Sequence, residues 1–535
     1  MLKDGLVYSE SRMGYEQEFM EDLAAFELKS SCGTFQGGPV LFRKNDICYT
    51  DHSDSHDLIV GDTGSQKTLK FVLPLIYSCA MAGESMVIVD PKGELVRKSG
   101  EFLERKGYQK VVLNWRKPQE SPDRWNPFER VQKAYERGKR AESANHLNDV
   151  LQSLFFARTE KGKDPYWNDT AGQLARGISK LILMTEESLS IKSILDWRHA
   201  KMQSGMLQNC FLALSTDSDI YQDLAGFMNL TAENTKTCIT STFDQLTGLF
   251  KASKALTEMM SGTTFSMEEI GKEKTAIFLV VPDEKTTYHF LAALFISQCY
   301  ESLLDQADVC KGELPVRVNF ILEEFCNMPK LDDIVSMLTA ARSRNIRFHL
   351  VIQSYSQMKD KYNENVSRTI MDNCGNLIYL HTREISFLEY ISKLAGQNEF
   401  DRPLLSVSRL QHLKKNETVI FHDRCYPVVV RDLPLIFEYP MKASAELNKK
   451  EKERGYRRKK YRFLMEKERF RDLYLEPFLE RLPEKIFLKE RHMNMEENVY
   501  VTDYPKKLRE EAQKRNIEFE ESTYEFIDMF LALSH

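Results

Sequence analysis

The stretch GDTGSQKT, at residues 61–68, holds most of the residue types that bind nucleotide phosphates. A phosphate loop needs inward-pointing backbone N–H groups, a lysine that reaches the β- and γ-phosphates, and a hydroxyl that ligates Mg²⁺. Two glycines can provide the turn, Lys67 the charge and Thr68 the hydroxyl. The candidate nucleotide-binding residues are therefore Gly61, Asp62, Thr63, Gly64, Ser65, Gln66, Lys67 and Thr68.

Gln66 departs from the usual spacing, which has a second glycine directly before the lysine. Its Cβ adds bulk beside the phosphates, and the residue is strained if the loop requires a positive φ. The loop follows the apolar segment HDLIV and precedes a helical pattern, which is the context in which such a loop binds phosphate. This pattern favours a nucleotide site, and an ordinary glycine-rich turn is the alternative.

A nucleotidase of this type also needs a strand that ends in an acid, to hold Mg²⁺ and to activate water. Two segments qualify: MVIVD, which ends at Asp90, and VNFILEE, which ends at Glu323 and Glu324. Adjacent acids allow separate roles, so we favour Glu323 as an Mg²⁺ ligand, directly or through water, and Glu324 as the general base. Strands often end in acids without such a role, so the pattern alone leaves both interpretations open.

The elements that must position these residues alternate as strand, loop, helix and strand, which predicts a mostly parallel α/β sheet. Further strands are predicted at KVVLNW, KTAIFLVVP, IRFHLVIQS, GNLIYLH and ETVIFH. Between residues 134 and 262 helical periodicity dominates, so an all-α domain interrupts the sheet. The predicted divisions are an N-terminal segment (1–37), a nucleotide-binding domain in two parts (38–133 and 263–440), the all-α domain (134–262) and a charged helical C-terminal extension (441–535).

Composition narrows the class of protein. Of 535 residues, 42% are hydrophobic and 29% charged, as in globular rather than disordered chains. The net charge of −5 means that any nucleic-acid binding relies on local basic patches. The ten cysteines form no C-x-x-C pair and show no zinc spacing, which argues against a disulfide framework. We also predict no signal peptide and no transmembrane helix.

The extension contains a basic run. Residues 442–470 carry 12 Lys and Arg against 5 Asp and Glu, interleaved with four aromatic side chains. We favour a solvated, salt-bridged helix with an apolar stripe. Contact with nucleic acid or anionic lipid is the alternative, with cations on phosphates and aromatic rings for stacking.

Together these motifs make the chain resemble the type IV secretion coupling proteins, the DNA-pump ATPases of bacterial conjugation within the wider FtsK/HerA group. The resemblance covers about residues 36–435 and implies a P-loop, RecA-like domain that binds ATP and Mg²⁺. The stretches that carry it, in the family's order, are HDLIVGDTGSQKT, VIVDPKGEL, RWNPF, DPYWNDTAGQLA, IGKEKTAIFLVVPDEKTTYHFLAALF, FILEEFCNMPKLDDIVSMLTAARSRNIRFHLVIQSYSQM and IMDNCGNLIYL.

The resemblance also implies roles for single residues. It makes residues 61–68 the Walker A loop, with Lys67 catalytic and Thr68 on Mg²⁺, and it makes Glu323 and Glu324 the Walker B acids. The usual first acid of that pair is Asp, so Glu323 is a second departure from the family pattern.

Two further catalytic residues come from the resemblance alone. Arg342, in TAARSRNIR, matches an arginine that reaches the nucleotide of the neighbouring subunit. Gln353, at the end of FHLVIQ, matches a sensor glutamine near the γ-phosphate. Without the resemblance they would be a surface arginine and a polar residue at a strand end. Asp90 and Lys92 of DPKGEL lie near the site with no assigned role.

We expect an ATP-hydrolysing protein that moves relaxase-bound single-stranded DNA to the membrane-embedded channel of a conjugative secretion system. The active form is expected to be a homo-oligomeric, hexameric ring. We place it in the cytoplasm, peripheral to the inner face of the bacterial cell membrane through partners. Most family members begin with transmembrane helices and this sequence shows none, so it belongs to a soluble branch, is recruited by a separate membrane protein, or lacks part of its natural chain.

Two alternatives stay open. One is a double-stranded DNA pump of the FtsK type, against which the DPKGEL and DPYWND stretches argue. The other is a non-hydrolysing adaptor that recruits relaxase to the channel, an idea motivated by Gln66 and Glu323.

Overall fold

The computed structural model describes residues 11–28, 35–156, 165–185, 187–282, 284–398 and 400–441. The predicted C-terminal extension lies outside these residues except for Met441. Its helical character and the role of its basic run therefore stay predictions.

Apolar and alternating segments form the strands of the described chain. In chain order the strands are β1 (Ala24–Glu27), β2 (Val40–Lys44), β3 (Ile47–Thr50), β4 (Asp57–Gly61), β5 (Ser85–Asp90), β6 (Gln109–Asn114), β7 (Thr275–Val280), β8 (Val318–Leu322), β9 (Ile346–Ile352), β10 (Asn376–His381), β11 (Glu417–His422) and β12 (Val428–Arg431). Two sheets result, a small antiparallel one in the order β1-β3-β2 and a large one in the order β12-β11-β10-β4-β9-β8-β5-β7-β6.

The large sheet is mostly parallel. Every neighbouring pair from β10 to β6 is parallel, and only β11 and β12 join antiparallel at one end of the described sheet. Strands β4, β5, β7, β8 and β9 are buried along their whole length, as expected for parallel strands covered on both faces. The predicted α/β fold class is confirmed.

Helices connect the strands and fill the interval between β6 and β7. Outside that interval they are α1 (Glu16–Glu21), α2 (Leu73–Ala82), α3 (Glu94–Arg105), α13 (His289–Val309), α14 (Ile334–Ala341), α15 (Tyr355–Tyr362), α16 (Glu364–Asp372), α17 (Ile385–Ala395) and α18 (Val407–Gln411). Within it they are α4 (Glu129–Glu136), α5 (Arg140–Leu151), α6 (Pro165–Met184), α7 (Ile191–Asp196), α8 (Met206–Ala213), α9 (Asp219–Met228), α10 (Glu233–Leu246), α11 (Gly248–Ala252) and α12 (Lys254–Met259).

Single turns of π- or 3-10-helix border the site segments, among them Thr68–Val72, Phe325–Asn327 and Arg342–Arg344. The helical block from Glu129 to Met259 overlaps the predicted all-α region. Whether it behaves as a separate domain stays a prediction.

Two apolar cores lie on the two faces of the large sheet. Because side chains alternate along a strand, Leu58 and Val60 of β4 point into one core and Ile59 into the other. The first core continues into the helical block, and the second holds α2, α3 and the small sheet. The sheet is therefore packed on both faces, and the loops at the carboxyl ends of its parallel strands meet at one edge.

Candidate nucleotide-binding site

The phosphate loop follows β4 directly. Its two glycines occupy positions that favour glycine for different structural reasons. A Cβ at Gly61 would lie 2.5 Å from Ser65 Oγ and 3.2 Å from Leu380 Cβ, so a larger residue would require Ser65 to move. Gly64 has a φ of 90°, which glycine adopts without strain. The chain then enters a π-helical turn at Thr68 that runs into α2.

Gln66 has a φ of 71°, in the left-handed region. This is the condition under which the sequence predicts strain at this position, because a side chain in that region costs roughly 1–2 kcal/mol. The Gln66 carbonyl accepts a hydrogen bond of 2.9 Å from Lys70 N, which helps to start the helical turn. The backbone of the loop thus takes a conformation that glycine would adopt freely.

Lys67 is 8% exposed and folds back onto its own loop. Its ammonium donates hydrogen bonds to the carbonyls of Gly61 and Asp62, the latter at 3.2 Å. Burial lowers the pKa of Lys67, while the nearby carboxylates of Glu324 and Glu323 oppose that shift. The charge that would meet a phosphate is therefore held by loop carbonyls and faced by the acidic pair.

Thr68 and Glu323 lie side by side. Thr68 Oγ1 donates a hydrogen bond of 2.5 Å to Glu323 Oε1. Burial raises the pKa of Glu323 to about 7; the Thr68 bond opposes this, and the charges of Asp90 and Glu324 add to it. A hydroxyl and a carboxylate oxygen are hard donors of the kind Mg²⁺ accepts, so these residues fit that ion.

Glu324 is held by Gln353. The Gln353 amide donates to both carboxylate oxygens of Glu324 at 2.8 Å, and Thr63 Oγ1 donates to Gln353 Oε1 at 3.3 Å. Glu324 has a φ of 57°, and strained backbone of this kind concentrates at functional sites. The ends of β8 and β9 are thereby joined to the phosphate loop.

Asp90, the other candidate acid, has a different role. Its Oδ1 accepts from Glu94 N and its Oδ2 from Val96 N, both at 2.9 Å, and the residue is fully buried. Asp90 therefore fixes the start of α3. Of the two candidate strand ends, it is the Glu323–Glu324 pair that contacts the loop.

Arg342 lies away from the loop of its own chain. It follows α14 and pairs with Asp54 at 3.1 Å, with 46% of its side chain exposed. Both residues precede strands, so they lie at the amino edge of the sheet. The seven residues of β9 separate the two edges by about 20 Å. Arg342 is the one predicted catalytic residue that the fold does not bring to the loop.

His381 belongs to the site although no sequence motif points to it. Its Nδ1 donates to Asp62 Oδ2 at 2.9 Å, and its carbonyl accepts from Asp62 N at 2.8 Å. These bonds tie the phosphate loop to β10. The available signal was a polar residue at the end of GNLIYLH, but the pairing of β10 with β4 was needed to interpret it.

Within the described ranges between residues 11 and 441, we find no helix with both the length and the apolar character needed to cross a membrane.

Comparison with known proteins identifies relatives along most of the chain. A family model described as "Type IV secretory system Conjugative DNA transfer" matches residues 17–422. Protein VirD4 of Rhizobium rhizogenes is 22% identical over 370 residues, which are 69% of this chain and 53% of that protein. Conjugal transfer protein TraG of Escherichia coli is 22% identical over 445 residues, or 78% and 67% of the two chains. The chain thus spans about half the length of the VirD4 proteins it matches.

Solved structures share the fold. The plasmid coupling protein TrwB in complex with the ATP analogue ADPNP has a TM-score of 0.55 and 16% identity, covering 80% of this chain and 96% of that one. TrwB in complex with ADP and Mg²⁺ gives a TM-score of 0.55 and 17% identity over the same shares. Because the family match covers most of the sequence, the chain belongs to the type IV secretory system conjugative DNA transfer family.

Proposed function

We propose that this protein is an ATP-hydrolysing coupling protein that moves single-stranded DNA with its attached relaxase to a conjugative secretion channel. The observation that carries the proposal is the convergence of two strand ends, those of β8 and β9, on one phosphate loop. Thr68 contacts Glu323, and Thr63 contacts Gln353, which in turn holds Glu324.

In the proposed reaction the loop amides and Lys67 bind the phosphates of ATP. Because Lys67 is bonded to two loop carbonyls, the phosphates must compete with Gly61 and Asp62 for its ammonium. Thr68 and Glu323 would hold Mg²⁺, and the ion would supply positive charge that offsets the charge of the phosphates. A cation also lowers the cost of ionising Glu323, whose carboxyl is otherwise protonated up to about pH 7.

Glu324 would take the proton of the attacking water. Its carboxylate accepts from the Gln353 amide on both oxygens, so the amide competes with the attacking water for this carboxylate. We propose that the γ-phosphate provides the competing partner for Gln353. Hydrolysis would then be coupled to nucleotide binding through this side chain.

Arg342 would complete the site of a neighbouring subunit in a homo-oligomeric, hexameric ring. Its place at the amino edge supports this proposal, because the arginine cannot reach the loop of its own chain. A planar, delocalised cation suits the charge spread over a transferring phosphoryl group. The partners of the ring would be the relaxosome and membrane-embedded channel proteins, with the motor at the cytoplasmic face of the membrane.

A non-hydrolysing adaptor is the second candidate. The left-handed Gln66 beside the phosphate position and the longer Glu323 favour it. Such an adaptor would bind nucleotide weakly and only recruit relaxase.

ATP hydrolysis with and without DNA separates these functions. We expect single-stranded DNA to stimulate turnover in the wild type, and Lys67→Ala and Glu324→Gln each to reduce it at least about 100-fold. Glu324→Gln should keep nucleotide affinity, because the phosphate-binding residues remain. Wild-type turnover no higher than that of the two variants, at ring-forming concentration and with DNA present, would favour the adaptor. Stronger stimulation by double-stranded DNA would change the proposed substrate.

A further inference from the structure

Asp22, His422 and Cys425 bring three kinds of metal-ligand atom together outside the nucleotide site. A carboxylate oxygen, an imidazole nitrogen and the thiol sulfur lie within 4.8 Å of one another. His422 is buried, Cys425 is partly buried and Asp22 is exposed. The group therefore has one side fixed in the core and one side open to solvent.

A chain of hydrogen bonds fixes which nitrogen of His422 carries a proton. Asn376 Nδ2 donates to Asp51 Oδ2 and to Asp57 Oδ1, each at 2.6 Å. These two carboxylates orient the amide so that its oxygen accepts from His422 Nδ1 at 2.6 Å. The lone pair is consequently on Nε2, the nitrogen left for an ion. Metal-binding histidines usually have their other nitrogen held in this way.

The three ligands come from two segments that are distant in sequence and packed together in space. Asp22 directly follows α1, while His422 and Cys425 border the turn between β11 and β12. A hydrogen bond of 2.8 Å from Cys425 N to His422 O closes that turn. The same two segments meet again where Gly14 N donates to Pro427 O at 2.9 Å. The backbone around the ligands is thus already organised.

The combination of nitrogen, sulfur and oxygen ligand atoms favours one kind of metal ion. Zn²⁺ accepts nitrogen, sulfur and oxygen in tetrahedral geometry, whereas Mg²⁺ and Ca²⁺ are bound by oxygen. Zinc–ligand distances of about 2.0–2.3 Å place tetrahedral ligand atoms roughly 3.3–3.5 Å apart. Cys425 Sγ and Asp22 Oδ2 are 3.7 Å apart, close to that spacing. Because Asp22 is exposed, its side chain can rotate and bring a carboxylate oxygen to the position that a zinc ligand requires.

We propose that Asp22, His422 and Cys425 bind a Zn²⁺ ion that joins the end of α1 to the β11–β12 turn. Two of the ligands are 403 residues apart, so the ion would cross-link α1 to the β11–β12 hairpin of the large sheet. The fourth tetrahedral position would be taken by water. His422 and Cys425 have an H-x-x-C spacing in the sequence, but the third ligand, Asp22, is too distant along the chain for a local motif to include it.

Zinc titration of the untagged, full-length chain tests the proposal without nucleotide. After chelator treatment, calorimetry with Zn²⁺ alone should give one tight site per chain. Asp22→Asn should weaken it at least about 10-fold and Cys425→Ser about 100-fold, since each removes a ligand. Cys238→Ser and Asp217→Asn, at exposed positions elsewhere, are the matched controls and should keep wild-type affinity.

Cobalt distinguishes direct ligation from an indirect effect on folding. With Co²⁺ in place of Zn²⁺, the wild type and Cys238→Ser should both show a thiolate-to-cobalt charge-transfer band, and Cys425→Ser should lack it. Zinc should also raise the Tm of the wild type but not of Cys425→Ser. Zero stoichiometry, or the same affinity and cobalt spectrum in the wild type and Cys425→Ser, would overturn the proposal. Neither result depends on ATP hydrolysis.

Discussion

The two edges of the large sheet hold polar groups in opposite ways. At the carboxyl edge, Gln66 and Glu324 have left-handed backbones, with φ of 71° and 57°. Lys67 is bound to carbonyls of its own loop, and burial raises the pKa of Glu323 to about 7. At the amino edge, by contrast, buried polar side chains are bonded to one another across five neighbouring strands.

We call this second group the amino-edge network. Its members are linked in the order His422, Asn376, Asp57, His349, Asn319, Arg347 and Glu84. Three of them, Asn376, Asp57 and His349, are direct partners in the strand register, so one rung of the sheet carries them side by side. A fully bonded buried network specifies one packing, whereas strained and partly charged groups mark a site that must change during a reaction.

Arg342→Ala gives the largest expected effect, because Arg342 is the one residue at the amino edge with a proposed catalytic role. We expect ATP turnover of the assembled protein to fall about 1,000-fold, as when an arginine finger is lost. Nucleotide affinity of the isolated chain should not change, since the residue lies far from its own loop. Steady-state hydrolysis and nucleotide titration measure the two quantities.

Mixing variants tests whether Arg342 acts between subunits. An Arg342→Ala chain with an intact loop, beside a Lys67→Ala chain with an intact arginine, forms one complete site between them. The mixture should recover part of the turnover that each variant lacks alone. Arg344→Ala, two residues away, is the control and should stay near wild type. Full turnover in Arg342→Ala would remove the residue from the mechanism and leave the amino edge purely structural.

Arg347→Met tests the structural role of the amino-edge network. Arg347 is 1% exposed and donates to Glu84 Oε2 at 2.7 Å and to Asn319 Oδ1 at 3.0 Å. Its loss leaves the mostly buried carboxylate of Glu84, whose side chain is 13% exposed, without its main counter-charge, so the free energy of unfolding should fall by about 3–5 kcal/mol. Denaturant unfolding followed by circular dichroism measures this change.

Two further variants show whether burial is the cause. Adding Glu84→Gln to Arg347→Met should recover most of the stability, because the uncompensated charge is gone. Arg43→Met removes the partly exposed pair with Glu438, at 2.6 Å, and should change stability by less than about 1 kcal/mol. Equal losses for Arg347→Met and Arg43→Met would contradict the distinction between the buried network and an ordinary surface pair.

The buried His56 at the amino edge predicts that the free energy of unfolding depends on pH. Its Nε2 donates to Leu338 O at 2.8 Å and its Nδ1 accepts from Phe348 N at 3.1 Å, so the folded protein needs the neutral ring. Burial lowers its pKa from 6.5 to about 4, and His349 and Arg342 add to this shift. Between these pH values the unfolded chain binds a proton that the folded chain does not. Stability should therefore fall with acidification by roughly 3 kcal/mol.

The test variant is His56→Gln, because a glutamine side chain can supply both the donor and the acceptor that His56 provides. Unfolding free energies of His56→Gln, measured from pH 7 to 4, should lack this component of the slope. His412→Gln, at an exposed histidine, should follow the wild type. An unchanged slope in His56→Gln would assign the acid sensitivity to other groups.

The sequence predicted the carboxyl edge better than the amino edge, and the reason is physical. Gly61, Lys67 and Thr68 are close in sequence and lie on one strand–helix turn, so their spacing alone carries the chemistry. The amino-edge network joins residues on separate strands, and only the strand order makes them neighbours. Its histidines and asparagines interrupt apolar strands without a local motif. Strand β12 and the hydrogen bonds between His381 and Asp62 also depend on strand pairing, which the sequence alone does not show.

Gln66→Gly has the smallest expected effect and tests whether strain at the carboxyl edge serves function. Glycine adopts a φ of 71° freely, so the unfolding free energy should rise by up to about 1 kcal/mol. Lys311→Gly, at a φ of 67° on an exposed turn, is the matched control for this backbone effect. If the side chain crowds the phosphates, nucleotide affinity or turnover rises in Gln66→Gly only. If stability rises in both variants while turnover falls in Gln66→Gly alone, the Gln66 side chain is required for turnover, and the strain of its backbone is retained for function.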